Sequence, residues 1–177
     1  MTQMLDETSL ARARQIAEAV PDPELPMVTL ADLGILRDVE VSGSEVTVSL
    51  TPTYSGCPAV AEMRAALVSR LTRAGFTAVG IRTVLNPPWS SDWISPEGRD
   101  KLAAAGIAPP RSRPDLSRSD RSGGPVPLTL VTHGPVIECP ACGSPDTVRT
   151  AAFSSTACKD LYRCRACAEP FEHVKEI

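Results

Sequence analysis

The 177-residue chain is long enough for one ordinary domain and a smaller companion, and its 42% hydrophobic content is normal for a soluble globular protein. A formal charge of -3 argues against a general electrostatic grip on nucleic acid, which depends on clustered Lys and Arg. No segment approaches the roughly 18 apolar residues of a membrane span, and the N-terminal stretch mixes Asp6, Glu7 and Glu18 with Arg12 and Arg14 around no apolar signal core; a cytoplasmic protein is expected.

Thr8 or Ser9 can cap a first helix whose apolar positions Leu10, Ala13, Ile16, Ala17 and Val20 repeat at helical spacing until Pro21 and Pro23 end it. Ile35, Val39 and Val41 then alternate, Ser42-Gly43-Ser44 supplies a turn, and Val46, Val48 and Leu50 alternate again, which predicts a β-hairpin. Pro58 suits the first turn of a second helix with the stripe Val60, Met63, Leu67 and Leu71, and Gly75 is its stop. Val79, Ile81, Thr83 and Leu85 read as a third strand. A last short helix is expected from Ser95-Pro96-Glu97 to Gly106, after the apolar corner Pro87-Pro88-Trp89 and Trp93. The order α-β-β-α-β-α predicts an α+β domain, a small three-stranded sheet with helices on one face in a split-βαβ arrangement.

From residue 108 the composition changes. Residues 108–127 are Pro, Arg, Ser or Gly at 15 of 20 positions, with almost nothing to bury, and read as a linker. The expected organisation is a first domain over residues 1–107, a linker over 108–135 and a C-terminal module over 136–177. The module is small enough to need a metal for stability. Its motif is the pair of knuckles Cys139-Pro-Ala-Cys142 and Cys164-Arg-Ala-Cys167, separated by 21 residues. That spacing predicts four thiolates around one Zn²⁺ with Zn–S near ~2.3 Å, a closed structural site with no open position. Thr147-Val148-Arg149, Ala151-Ala152-Phe153 and Phe171-Glu172-His173-Val174 are expected as short strands of a zinc ribbon. Iron, alone or in an iron-sulfur cluster, also suits four thiolates.

Two cysteines stand outside this set. Cys57 follows a strand end and precedes a helix start, where backbone N–H groups and the helix dipole favour a thiolate that serves as nucleophile or soft-metal ligand. Thr53, Ser55 and Gly56 let a ligand approach it, and the alternative is a buried structural thiol. Cys158 has no place as a fifth ligand to a four-coordinate zinc, so it is a spare, exchanging or redox-active thiol, or an inert one; Lys159 beside it would favour the thiolate. Asp22 and Glu24, on the proline-locked turn Asp22-Pro23-Glu24-Leu25-Pro26, either border the Cys57 pocket as hard ligands or proton acceptors or form an ordinary acidic turn. No Gly-x-Gly-x-x-Gly, P-loop or Glu-x-x-His pair occurs, so nucleotide-driven or di-iron chemistry within the chain is unsupported.

Taken together, Val20-Pro-Asp-Pro-Glu-Leu-Pro26, Asp32-Leu-Gly-Ile35, Thr51-Pro-Thr-Tyr-Ser-Gly-Cys-Pro58, Asn86-Pro-Pro-Trp89 and Ile94-Ser-Pro-Glu97 resemble the SufT-like metal-sulfur cluster biosynthesis family over about residues 8–106. With the ribbon, Ser155-Thr-Ala-Cys-Lys159 and Glu169-Pro-Phe-Glu-His173, the chain resembles the accessory D-subunit family of bacterial phenylacetyl-CoA epoxidase systems. The resemblance implies an accessory or maturation factor of aerobic phenylacetate catabolism with no catalytic activity alone. Its partners would be the oxygenase and reductase subunits and iron-sulfur carrier proteins. It places the family's functional cysteine on Cys57 and its acidic pair and threonine on Asp22, Glu24 and Thr53. A transient iron or iron-sulfur cluster held by one cysteine per chain needs further ligands, from a second copy in a homodimer, a carrier or a client. The competing class is a non-enzymatic scaffold bridging epoxidase subunits, with Cys57 structural.

Overall fold

The computed structural model describes residues 2–54, 56–111 and 136–176. Ser55 and residues 112–135, most of the expected linker, lie outside them. The chain divides into two compact units, the first running to Ala105 and the second from Gly106 to Lys175.

Helix α1 (Thr2–Glu18) begins earlier than Thr8 or Ser9, because the residues before them, Gln3, Met4, Leu5 and Glu7 among them, propagate a helix well. Ala13 and Ala17 are fully buried on it, and Val20 just beyond it is buried too. Strands β1 (Leu36–Ser42) and β2 (Glu45–Leu50) form the expected antiparallel hairpin, with Val39 opposite Val48 and Val41 opposite Val46. Gly43, at φ +60°, occupies the left-handed position of the turn. Helix α2 (Ala59–Arg73) carries the chain across to β3 (Ala78–Thr83), which pairs with β2 in parallel, Val46 with Val79 and Val48 with Ile81. The sheet order is β1-β2-β3. Leu85, expected in the third strand, lies beyond it and is 58% exposed.

The core lies between this sheet and the helices. Val46, Val48 and Leu50 of β2 are buried, as are Ala59, Met63, Leu67 and Leu71 of α2. Full burial of a Val, Leu or Met side chain stabilises by roughly 1.5–3 kcal/mol. Helix α3 (Pro96–Ala104) is capped by Ser95, whose Oγ accepts from Gly98 N at 2.9 Å. Asp32 ties the preceding loop to it: its Oδ2 accepts from Lys101 Nζ at 2.6 Å and from Thr29 N at 2.8 Å, and its carbonyl from Ser95 N at 2.8 Å. Burial opposes the Asp32 charge, but Lys101 and the Thr29 donors outweigh it and hold the carboxyl below its usual range. The Trp89 indole N–H donates to Leu33 O at 2.8 Å, and Arg37 stacks over the Trp93 ring at 3.7 Å. Both tryptophans therefore serve packing. Between them runs a short 3₁₀ turn, Ser91–Trp93.

The second unit is a four-stranded sheet. Strands β5 (Thr147–Ala151), β6 (Lys159–Cys164) and β7 (Pro170–Val174) form an antiparallel meander, and β4 (Ile107–Ala108) adds in parallel to β7, giving the order β4-β7-β6-β5. The sequence reading put Ile107 at the end of the first domain and Ala108 in the linker, whereas both pair with β7, opposite Glu172 and His173. The expected short strands become β5 and β7; Ala152 and Phe153 fall outside β5, and β6, which opens on the adjacent charged residues Lys159 and Asp160, carries no apolar alternation that would mark it in sequence.

Candidate metal centre and cysteine loop

The knuckles are built by turns that close on their own sulfurs. Gly143 N donates to Cys139 O at 2.8 Å and Cys139 N to Ser144 O at 3.0 Å. Cys164 N donates to Glu169 O at 2.9 Å, and Cys167 N to Cys164 Sγ at 3.5 Å. Each knuckle is followed by a residue in the left-handed region, Gly143 at φ +71° and Ala168 at φ +66°. Arg165 N donates to Asp146 O at 2.8 Å, which joins the two turns.

The four sulfurs of Cys139, Cys142, Cys164 and Cys167 lie within 4.8 Å of one another, with Cys139–Cys167 at 3.7 Å and Cys142–Cys164 at 3.6 Å. A tetrahedron with Zn–S near ~2.3 Å needs sulfurs about 3.8 Å apart. The donor set and its spacing therefore fit Zn²⁺, with these four residues as its ligands. Backbone N–H groups of Cys167 and Ala166 bring the Cys164 thiol down to about 7. The Glu169 N–H favours the Cys167 thiolate, but the Cys142 and Cys164 sulfurs beside it push that thiol up to about 12. Four such thiols ionise together only with a cation between them. Cys139 and Cys164 are buried in the ribbon core with Ala108, Ile137 and Phe171, while Cys142 and Cys167 face outward.

Cys158 is not part of that cluster. Its sulfur lies 3.1 Å from Thr156 Oγ1. The ammonium of Lys159, the neighbour expected to favour its thiolate, is 2.7 Å from Glu172 Oε2; Lys159 is 3% exposed, and a buried ammonium needs a carboxylate. Glu172 Oε1 in turn accepts from the Ser154 and Ser155 hydroxyls. Burial opposes the Glu172 charge, yet Lys159 and the two serines outweigh it and draw the carboxyl down to about 2. Alongside, His173 Nδ1 meets Asp160 Oδ1 at 2.8 Å, both residues being buried, and His173 Nε2 has no hydrogen-bond partner among the described residues. Sequence reasoning missed this polar set. Only the odd density of charge in two short strands, Lys159-Asp160 and Glu172-His173, could have signalled it.

In the first unit Cys57 occupies the expected position, half-buried between a turn and α2. Its N–H donates to Tyr54 O at 3.2 Å, and its carbonyl accepts from Val60 N at 3.4 Å. The helix N-cap is Pro58, which supplies no side-chain cap, so the first amides of α2 keep their positive end toward the cysteine loop. Thr53 is half-buried in the same loop. Asp22 acts locally. It is 4% exposed, and its Oδ1 accepts from Glu24 N at 2.9 Å and Leu25 N at 2.8 Å. Together with Asp22 N donating to Val28 O at 2.9 Å, these bonds set the turn that carries half-buried Glu24.

Residues 13–77, which include Asp22, Glu24, Thr53 and Cys57, match the family described as iron-sulfur cluster assembly protein, and residues 124–175 match the PaaD zinc beta ribbon domain. The chain is 40% identical over 158 residues to an Escherichia coli (strain K12) protein named as the D subunit of 1,2-phenylacetyl-CoA epoxidase, covering 89% of this chain and 87% of that one. Among solved structures, a domain of unknown function, DUF59, from Bacillus anthracis is 27% identical with a TM-score of 0.52, covering 56% of this chain and 96% of its own. Rv1466 of Mycobacterium tuberculosis, a protein associated with Fe-S complex assembly and repair, is 30% identical with a TM-score of 0.31, over 56% of this chain and 84% of its own. The shared iron-sulfur assembly domain, the four-cysteine ribbon and the near full-length likeness establish that the chain belongs to the D-subunit family of 1,2-phenylacetyl-CoA epoxidase.

Proposed function

We propose that the protein serves the phenylacetyl-CoA epoxidase system of aerobic phenylacetate catabolism as a maturation factor. In this role it delivers iron or an iron-sulfur cluster to the oxygenase or reductase subunits and catalyses no ring chemistry itself. The observation that carries the reading is the placement of Cys57: a half-buried thiol directly before α2, within the segment that matches iron-sulfur assembly proteins. Thiolate ligation there is favoured by the positive end of the α2 dipole. The metal or cluster is cargo. Thr53 and the Asp22–Glu24 turn shape the surroundings of Cys57, and the remaining ligands come from a carrier protein, the client or a second copy of this chain. The four-thiolate site holds zinc and keeps the ribbon folded as a docking module, since its ligands leave no open coordination position.

Reconstitution with ferrous iron and sulfide, followed by visible absorbance, tests the reading together with epoxidase activity in cells. The wild-type protein is expected to acquire cluster absorbance that Cys57→Ser loses, and Cys57→Ser to leave the epoxidase subunits under-loaded. Full epoxidase activity with Cys57→Ser would return the protein to the scaffold class. A scaffold stays bound stoichiometrically to the active complex, whereas a maturation factor becomes dispensable once the other subunits are loaded.

A further inference from the structure

Helix α2 leads directly away from Cys57, and grooves open on both of its outer flanks. On one side Arg64, Ala65 and Val68 of α2, with Val79 and Ile81 of β3, line a groove of about 490 Å³. On the other, Ile16 of α1 and Ala19 just beyond it, with Arg70 and Arg73 of α2, line one of about 360 Å³. Val68 beside the first groove is 38% exposed. The helix carries three arginines against one acid, Glu62, in a chain whose net charge is -3. Arg64 donates to Ile81 O at 2.7 Å and Arg70 to Ala19 O at 3.1 Å, contacts that orient the guanidinium groups without neutralising them. The ion pairs among the described residues use Arg14, Arg82, Lys101, Arg149, Lys159, Arg165 and His173, and none of the α2 arginines.

We propose that this face of α2 docks an acidic segment of a partner subunit of the epoxidase system. Apolar side chains of the segment enter the two grooves and its carboxylates meet Arg64, Arg70 and Arg73. The inference rests on the reading of Cys57 as the transfer residue, because a segment laid along about 22 Å of helix ends beside that loop. A second copy of this chain fits poorly, since a two-fold contact would set the same arginines against one another.

The purified oxygenase and reductase subunits of the same organism are the probes, titrated against the zinc-loaded full chain at low and high salt. One of them is expected to bind, with affinity that falls about 10-fold or more in Val68→Asp/Arg73→Glu and falls with added salt. Arg73→Ala, which inserts no new charge, is expected to lose several-fold. Arg82→Glu on the opposite face of the sheet and Cys57→Ser are expected to bind as wild type. Failure of both subunits to bind, undiminished affinity in the α2 variants, or an equal loss in Arg82→Glu overturns the docking surface. Intact α2-dependent binding with a fully active Cys57→Ser overturns the transfer reading instead and leaves the surface standing.

Discussion

Lys159 of β6 and Glu172 of β7 join diagonally across the two strands as a 2.7 Å ion pair in which the lysine side chain is only 4% exposed. The same glutamate holds Ser154 and Ser155, so one carboxylate both neutralises a buried ammonium and anchors the loop that leads to Cys158. Glu172→Gln leaves Lys159 buried beside a neutral amide and is expected to destabilise the ribbon by about 3 kcal/mol, read by chemical denaturation. The double change Lys159→Met/Glu172→Met is expected to recover most of that loss.

The pair also has a pH signature. Glu172 titrates near 2 in the folded protein against an ordinary 4.5, so its contribution is complete above about pH 4.5 and disappears as pH falls toward 2. The stability gap between wild type and Glu172→Gln, measured at the same pH and metal condition for both, is expected to narrow across that window and stay constant above it.

Zinc removal separates the two units. The ribbon buries few large side chains, and its four thiolates repel without a cation. Chelation is expected to abolish the ribbon's thermal transition and release one zinc per chain to a chromogenic dye, with the transition of the first unit retained. Cys164→Ser is expected to reproduce the chelated state.

Two glycines hold the first unit's C-terminal segment against the loop before β1. A Cβ on Gly34 would stand 2.6 Å from both Trp93 Cβ and Trp93 O, at a φ of +66°, and one on Gly98 would stand 2.8 Å from Asp32 O. Overpacking of this kind costs about 1–3 kcal/mol. Gly34→Ala is expected at or beyond the top of that range because backbone strain adds to the clash, and Gly98→Ala within it, both read as a lowered midpoint of urea unfolding.

Thr51 follows β2 on the way to the Cys57 loop, and its buried Oγ1 has no hydrogen-bond partner among the described residues. A buried hydroxyl without a partner carries a desolvation penalty of about 1–3 kcal/mol. Thr51→Val, of nearly the same shape, is therefore expected to be neutral or to raise the first unit's melting temperature.

Ala168 occupies the position after the second knuckle that Gly143 occupies after the first. A non-glycine residue in the left-handed region costs roughly 1–2 kcal/mol. Ala168→Gly is expected to stabilise the zinc-loaded ribbon by up to about 1 kcal/mol, once the greater chain entropy of glycine is subtracted, measured by competition with a zinc chelator.

Much of this protein was legible in one dimension, because several of its determinants are local. The 3.6- and 2-residue periodicities marked α2 and the β1–β2 hairpin, and Ser95-Pro96 marked the start of α3. The Cys-x-x-Cys spacing marked the four ligands, since each knuckle is a turn of a few residues. Cys57 stood out for the same reason, through its strand-turn-helix context.

Tertiary structure decided what depends on residues far apart in the chain. Sequence placed Lys159 beside Cys158, but the fold turned its ammonium to Glu172, because burial makes a carboxylate partner necessary. The Asp22 carboxylate accepts from the backbone amides of Glu24 and Leu25, a geometry set by the buried turn. The pairing of Ile107 and Ala108 with β7 arises from a strand more than 60 residues away, and the arginine-lined grooves of α2 require α1 and β3 as their walls. Local sequence thus determined the elements and the four-cysteine cluster, whereas desolvation and long-range packing determined which charges are neutralised and which grooves open on the surface.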